Sequence, residues 1–347
     1  MNELAASTIP FLQTLADHRI DAVTWIFNKL TFLGDEKLFV LIALIVFWCV
    51  SKRGGQYMLT VGFSASSIGQ TLKMLFRVPR PWALGDHPFE GADPVARGSA
   101  GGATVEKKGL DKLLSKFLGT GADGWSFPSG HTLISVGTYG AMAAWFKQTW
   151  VRIVGIVLAI LIPFTRLYLG VHTPVDIVAG AIIALILLLT LRPVFTGDNL
   201  GKIRIVLIGN IALTAILMIW MYLAKPSNLA GEDIAHYASG IKNLWQLVGA
   251  TLAVWISFEA DERRIHFETK AVWWAQVLKV IGGAVIMLGL QTVIQKVFHY
   301  SSDALTLENM TKMGVIACFA NLIALTTAMT AWPMTFKWFA KLGRKAE

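Results

Sequence analysis

Nine apolar stretches alternate with short polar ones along the 347-residue chain: Lys37–Val50, Tyr57–Leu75, His131–Phe146, Val151–Leu167, Pro174–Leu191, Ile203–Leu223, Leu244–Phe258, Ala271–Ile294 and Met313–Trp332. Crossing a bilayer as a helix takes about 20 predominantly apolar residues, so each is read as a spanning helix. The first is short and is expected to start further upstream. The eighth contains Lys279 and can begin as an interfacial helix at Trp273–Trp274. Ahead of the first span, "FLQTLADHRIDAVTWIFNKLTFLGDE" repeats its apolar residues every three or four positions. That period predicts one or two amphipathic helices, lying in the membrane surface or packed on a neighbouring helix. The one long connection runs from Phe76 to Phe127. Its Gly/Ala-rich middle, "GADPVARGSAGGATVEKK", is expected to be mobile. The segment "GLDKLLSKFLG" after it has the spacing of a short helix resting on headgroups.

Composition agrees with the pattern. Hydrophobic residues make up 54% of the chain and charged residues 15%, against about 25% charged in soluble domains, and the mean hydropathy is +0.56. The expected fold is all-α: a polytopic transmembrane helix bundle of about nine spans with interfacial N-terminal helices. The expected organisation is an amphipathic segment over 1–36, a functional bundle over 37–192 with its loop at 76–127, and four additional membrane helices of unknown role over 193–347. The 13 Trp and 19 Phe suit interfacial belts. A net charge of +9 would suggest nucleic acid in a soluble protein; here it points to cytoplasmic loops and anionic membrane lipids, and no nucleic-acid partner is expected. Cys49 and Cys318 fall inside apolar runs and imply no disulfide framework. Residues 1–35 lack the pattern of a signal peptide. The short loops "SKRGG", "KQTWVR", "RPVFTGDNLGKIR" and "EADERRIHFETK" and the tail "KWFAKLGRKAE" concentrate Lys and Arg. The positive-inside rule places them in the cytoplasm and the long loop outside. That fits a bacterial inner (plasma) membrane with the functional end extracytoplasmic. The oligomeric state is open, a homodimer being one arrangement.

Three stretches put polar residues at helix ends: "KMLFRVPRP", with Lys73 and Arg80; "PSGH", Pro128 to His131; and "TRLYLGVHTPVD", with Arg166, His172 and Asp176. Singly, each has an ordinary explanation, such as a snorkelling lysine, a loop arginine or a capping aspartate. With alternating spans, however, all of them fall at one end of the bundle, and collecting such groups in a membrane is costly unless they serve a function. Lys73, Arg80 and Arg166 provide permanent positive charge for phosphate oxygens. Ser129 can N-cap the third span, and Gly130 lets an anion approach the free N–H groups of that helix start. Thr173 and Pro174 can open the fifth span, with Asp176 in its first turn, four residues from His172 and able to orient it. His131 is then available as an acid/base. The sequence offers no metal-ligand constellation, Walker loop or G-x-G-x-x-G, so no metal or cofactor is expected.

Together the three stretches resemble the signature of the type-2 phosphatidic acid phosphatase superfamily, K-x6-R-P, P-S-G-H and S-R-x5-H-x3-D in that order, with Thr165 in place of the usual Ser. The resemblance implies that His172 is the nucleophile of a phosphohistidine intermediate, Asp176 its partner and His131 the general acid/base. Lys73, Arg80, Ser129, Gly130 and Arg166 would bind phosphate. The implied activity is metal-independent hydrolysis of a lipid phosphate or diphosphate by an integral membrane enzyme. The nine-span layout is also similar to glucose-6-phosphatase and sphingosine-phosphate phosphatase members. A phosphatase acting on a soluble sugar phosphate, a lipid phosphotransferase, and a lipid transporter or flippase remain alternatives.

Overall fold

The computed structural model describes residues 1–84, 89–97, 124–197, 199–224, 232–298 and 306–341. Among these residues there are helices and turns and no strand. Three short N-terminal helices come first, α1 (Asn2–Ala6), α2 (Ile9–Asp17) and α3 (Asp21–Leu30), followed by a 3-10 turn at Thr31–Gly34. Then come α4 (Glu36–Cys49), α5 (Lys52–Phe76), a single turn α6 (Pro94–Arg97), α7 (Gly130–Trp145), α8 (Thr149–Tyr168) and α9 (Pro174–Thr196). The chain continues with α10 (Leu200–Leu223), α11 (Glu232–Ala260), α12 (Trp273–Val297) and α13 (Leu307–Met329), and ends in two short turns.

A helix therefore occupies each of the nine apolar stretches. Five are long and apolar enough to cross a membrane: Thr149–Tyr168, Pro174–Thr196, Leu200–Leu223, Trp273–Val297 and Leu307–Met334. The other four differ for visible reasons. With 14 and 16 residues, α4 and α7 fall short of the usual spanning length. The 25-residue α5 carries Lys52, Arg53 and Lys73, and α11 begins with acidic residues and includes Lys242, Asn243 and Gln246. Helix α12 starts at Trp273, which is exposed, whereas Lys279 is buried and donates to the carbonyls of Glu268 and Thr269.

By its internal contacts the chain forms two compact units. The first is Met1–Val40 with Ile68–Thr190, and the second is Leu41–Ser67 with Leu191–Glu347. In the second, α11 and α13 make the most extensive helix pairing. Lys52 binds the buried carboxylate of Asp261, and Glu259 joins Arg204 to Arg263. In the first, α7 pairs with α8, and the N-terminal helices pack onto the segments around them. Leu12 of α2 lies against Phe89 and Ala92, and Val23 and Phe27 of α3 lie against Tyr168, Leu169 and Val171. Phe11, Ile20, Trp25 and Ile26 are large apolar residues left exposed on this segment.

The described part of the Gly/Ala-rich stretch, Gly91–Arg97, is a capped turn. The Asp93 carboxylate accepts the N–H groups of Val95 and Ala96, and Arg19 donates to the Gly91 carbonyl. Here a sequence rich in small residues carries a carboxylate N-cap and a half-buried arginine strap. The rest of that stretch, and the helix expected over "GLDKLLSKFLG", lie outside the described residues.

Candidate active site

The spacing R-x5-H-x3-D has a main-chain origin. Helix α8 ends in a Schellman motif: the Gly170 N–H bonds the Leu167 carbonyl at 2.9 Å, and the Val171 N–H bonds the Arg166 carbonyl at 3.1 Å. Gly170 sits at φ +71, in the left-handed region, and a side chain there would run into Phe89 and Arg19. Two residues later, α9 opens in a reciprocal capping box. The Thr173 hydroxyl accepts from the Asp176 N–H at 3.4 Å, and the Asp176 carboxylate accepts from the Thr173 N–H at 2.8 Å. Pro174 takes the first helical position. One helix stop and one helix start thus place Arg166, His172 and Asp176 on a rigid turn.

The other two stretches are tied to it. At the end of α5, Arg77 adopts a left-handed conformation (φ 46) and turns the chain into the extended Val78–Arg80 segment. The Ser126 N–H bonds the Val78 carbonyl at 2.8 Å, and Arg80 Nε donates to the Gly124 carbonyl at 3.1 Å. Lys73 Nζ donates to the Trp125 carbonyl. Ser129 caps α7 by accepting from the Thr132 N–H at 3.4 Å, and its own N–H bonds the Asp176 carbonyl at 3.1 Å. The starts of α7 and α9 are thereby joined. Gly130 opens onto free space: a Cβ built there meets nothing within 4 Å.

The polar groups converge on His172, which is buried. Arg80 donates from a terminal nitrogen to the Val171 carbonyl at 3.0 Å and stands 2.8 Å from His172 Nε2. A guanidinium only donates, so Nε2 carries a lone pair and the ring proton sits on Nδ1. Nδ1 is 3.3 Å from Asp176 Oδ2 and 3.3 Å from Ser126 Oγ, while Ser126 Oγ donates to the same Oδ2 at 2.5 Å. Burial, and then the guanidinium of Arg80, hold the imidazole well below the ordinary histidine range, which keeps it neutral at pH 7. His131 lies within electrostatic reach of Arg166, His172, Arg80 and Lys73. Arg166 is 3% exposed; one terminal nitrogen donates to Thr31 Oγ1 at 2.7 Å, and its Nε and Asp176 Oδ1 are buried with no hydrogen-bond partner. A buried guanidinium N–H left without an acceptor is what an entering anion would satisfy.

The structure thus brings together Lys73, Arg80, Ser129, Gly130, His131, Arg166, His172 and Asp176. It adds two residues that the sequence reading did not single out. Ser126 lies three residues ahead of Ser129, in the same "SFPSGH" run, and that proximity is its one signal. Thr31 lies in the N-terminal segment and carried none. Among the described residues, no group of three or more His, Cys, Asp or Glu is placed to hold a metal ion.

Residues 54–199 match the family model of the PAP2 superfamily, and residues 245–345 match that of its phosphatase transmembrane extension. The chain belongs to the PAP2 superfamily. As a PAP2 protein with a transmembrane extension, it is an integral membrane protein. The first model covers the whole of the site's motif-bearing segments; the second covers helices that carry none of them. Among PAP2 relatives, an undecaprenyl-diphosphatase of Sulfolobus acidocaldarius is 43% identical over 56 residues, 16% of this chain and 27% of that protein. A lipid A 4'-phosphatase of Bacteroides thetaiotaomicron is 43% identical over 60 residues, 17% and 27%. A probable sphingosine-1-phosphate phosphatase of Dictyostelium discoideum is 25% identical over 258 residues, 72% and 57%. The chain therefore spans about a quarter of the length of the first two and somewhat over half of the third. No solved structure is significantly similar to it.

Proposed function

We propose that this PAP2 protein is a membrane phosphatase that hydrolyses a lipid phosphate or diphosphate through a phosphohistidine on His172. The observation that carries the reading is the setting of His172, with Arg80 at Nε2 and Asp176 and Ser126 at Nδ1, which fixes its tautomer. Its Nε2 lone pair faces the cationic groups, and its Nδ1–H faces Asp176 and Ser126. In the first step Nε2 attacks phosphorus, the bond from phosphorus to the leaving oxygen breaks, and His131 gives that oxygen a proton. In the second, His131 takes a proton from water as the water oxygen attacks, the N–P bond breaks, and inorganic phosphate leaves. Asp176 stabilises the imidazolium character that develops on His172. Lys73, Arg80, Arg166, the capped start of α7 at Ser129 and the open backbone at Gly130 neutralise the equatorial oxygens. The chemistry calls for no metal.

The names of the three relatives support a lipid substrate, since each of them denotes a phosphatase whose substrate carries a lipid chain. So does the setting at membrane-helix ends, where a lipid headgroup already resides. In this reading all nine helices span the bilayer, with the site on the extracytoplasmic side of a bacterial plasma membrane. A pure binding or flipping protein would need the cations but not the His–Asp pair with a second histidine. The deciding experiment compares kcat/KM of the purified protein for phosphatidate, an isoprenyl diphosphate, sphingosine phosphate and glucose 6-phosphate, with product analysis for phosphoryl transfer to acceptors other than water. The expected result is a preference for the lipids, inhibition by vanadate and insensitivity to EDTA. A preference for the sugar phosphate, or EDTA-sensitive activity restored by a divalent ion, overturns the proposal.

A further inference from the structure

The turn at Thr31–Gly34 lies ahead of the segment that matches the family, yet it touches the site at two points and the helix that carries His131 at a third. Thr31 Oγ1, almost wholly buried, accepts from Arg166 at 2.7 Å across 135 residues of sequence. The Leu33 carbonyl accepts from the Tyr139 hydroxyl of α7 at 2.9 Å. At Gly34, an added Cβ would stand 2.8 Å from Ile162 Cγ2 and 3.1 Å from His131 Cδ2, so glycine is what lets the chain pass beside the His131 ring. The turn is carried by α3, whose Phe27 ring packs edge-on against Phe164 and Tyr168, two residues to either side of Arg166.

We propose that Thr31 is a positioning residue for phosphate binding: it holds the Arg166 side chain in register with the site without adding a neutralising charge of its own. The inference rests on the phosphatase reading of the site. The choice of a hydroxyl follows from electrostatics. A carboxylate at this position would orient the guanidinium but would also neutralise it, whereas a neutral acceptor fixes direction and leaves the full charge for a phosphate oxygen. The nearby carboxylate, Asp93, is committed to Asn28 and to the N–H groups of Val95 and Ala96. With one terminal nitrogen tied to Thr31, Arg166 keeps its buried, unbonded Nε for the anion.

The test uses the full-length protein in detergent or nanodiscs, with Thr31→Val, which keeps the shape and removes the acceptor, and Thr31→Ser, which restores it. Three quantities are read: the vanadate inhibition constant, KM and kcat for the preferred substrate, and direct vanadate binding by calorimetry on the folded fraction. Losing a hydrogen bond to a charged group predicts a rise in KM and in the vanadate constant of about tenfold in Thr31→Val. It also predicts a smaller change in kcat and recovery in Thr31→Ser. A merely structural role would lower melting temperature and yield but leave vanadate affinity per folded molecule unchanged, and that result overturns the proposal. Wild-type activity with Thr31→Val indistinguishable from it sinks this inference alone. A wild-type protein that neither hydrolyses a phosphate ester nor binds vanadate sinks the phosphatase reading and this inference with it.

Discussion

Ser126→Ala isolates one oxygen in the network behind His172. Ser126 is fully buried, donates to Asp176 Oδ2 at 2.5 Å, and lies 3.3 Å from His172 Nδ1. Without it, that carboxylate oxygen keeps the Thr173 N–H at 2.8 Å and the long 3.3 Å contact from His172, and its other oxygen already lacks a partner. A hydrogen bond to a charged group contributes about 1.5–3 kcal/mol. If that loss falls on the transition state, where His172 gains positive character, kcat/KM drops roughly 10- to 100-fold. Vanadate inhibition should change much less, because Lys73, Arg80 and Arg166 are untouched. Ser126→Thr should recover part of the rate. The assay is steady-state phosphate release against pH, with vanadate titration at each pH. Near-wild-type kcat/KM in Ser126→Ala, or equal losses in rate and vanadate affinity, would refute the network as drawn.

His172→Ala should abolish turnover, and Asp176→Asn should cost on the order of 10⁴ in kcat, by analogy with triads whose third member sets the tautomer. His131→Ala should accumulate a slowly hydrolysed phosphoenzyme, visible as acid-labile label from a 32P substrate; near-normal turnover in His172→Ala would reverse the assignment. For topology, Glu90→Cys should react with an impermeant thiol reagent in intact cells and Gly201→Cys should not, with the opposite pattern inverting the orientation. Asp35 gives a pH signature. Burial raises its carboxyl from 3.8 to about 6, against the Lys37 N–H that it caps. The folded state therefore favours the acid form, and stability falls as pH rises from 3.8 through about 6. Asp35→Asn keeps a cap acceptor without the charge, so it should melt higher than wild type at pH 7.5 and lose that advantage near pH 4. A constant difference across that range would refute the assignment.

The long helices could be read from the chain because runs such as Pro174–Leu191 leave no other way to satisfy the backbone in an apolar medium. Helix starts were legible where a cap is local: Ser129, and Thr173 with Pro174 and Asp176. Boundaries moved where polar residues continue a helix. Helix α11 begins at Glu232, twelve residues before the apolar run at Leu244, and α5 begins at Lys52 rather than Tyr57. The eight candidate site residues could be grouped from the sequence because the spacings of Arg166, His172 and Asp176 and of Ser129 to His131 follow from local helix ends. Thr31 and Ser126 were not, since a lone hydroxyl near a helix end is ordinary, and their partners lie 135 and 50 residues away. The assignment of Leu41–Cys49 of α4 and Lys52–Ser67 of α5 to the unit of the C-terminal helices also left no trace in sequence, because it depends on contacts with helices more than a hundred residues away.

The stop-and-start turn between α8 and α9 acts as a ruler. Its marks are the main-chain hydrogen bonds from Gly170 and Val171 and the bonds that the Thr173 and Asp176 N–H groups give to each other's side-chain oxygens, so it counts residues. Leu169 and Val171 are buried against the N-terminal helices, so changes there act through packing volume, whereas the count of residues between Arg166 and His172 is held by the turn itself. One inserted residue would instead advance the register by a helical step of about 100° and swing His172 or Asp176 away from Arg80. The site thus depends on the length of this turn, and volume-conserving changes at Leu169 and Val171 should retain activity where single-residue insertions lose it.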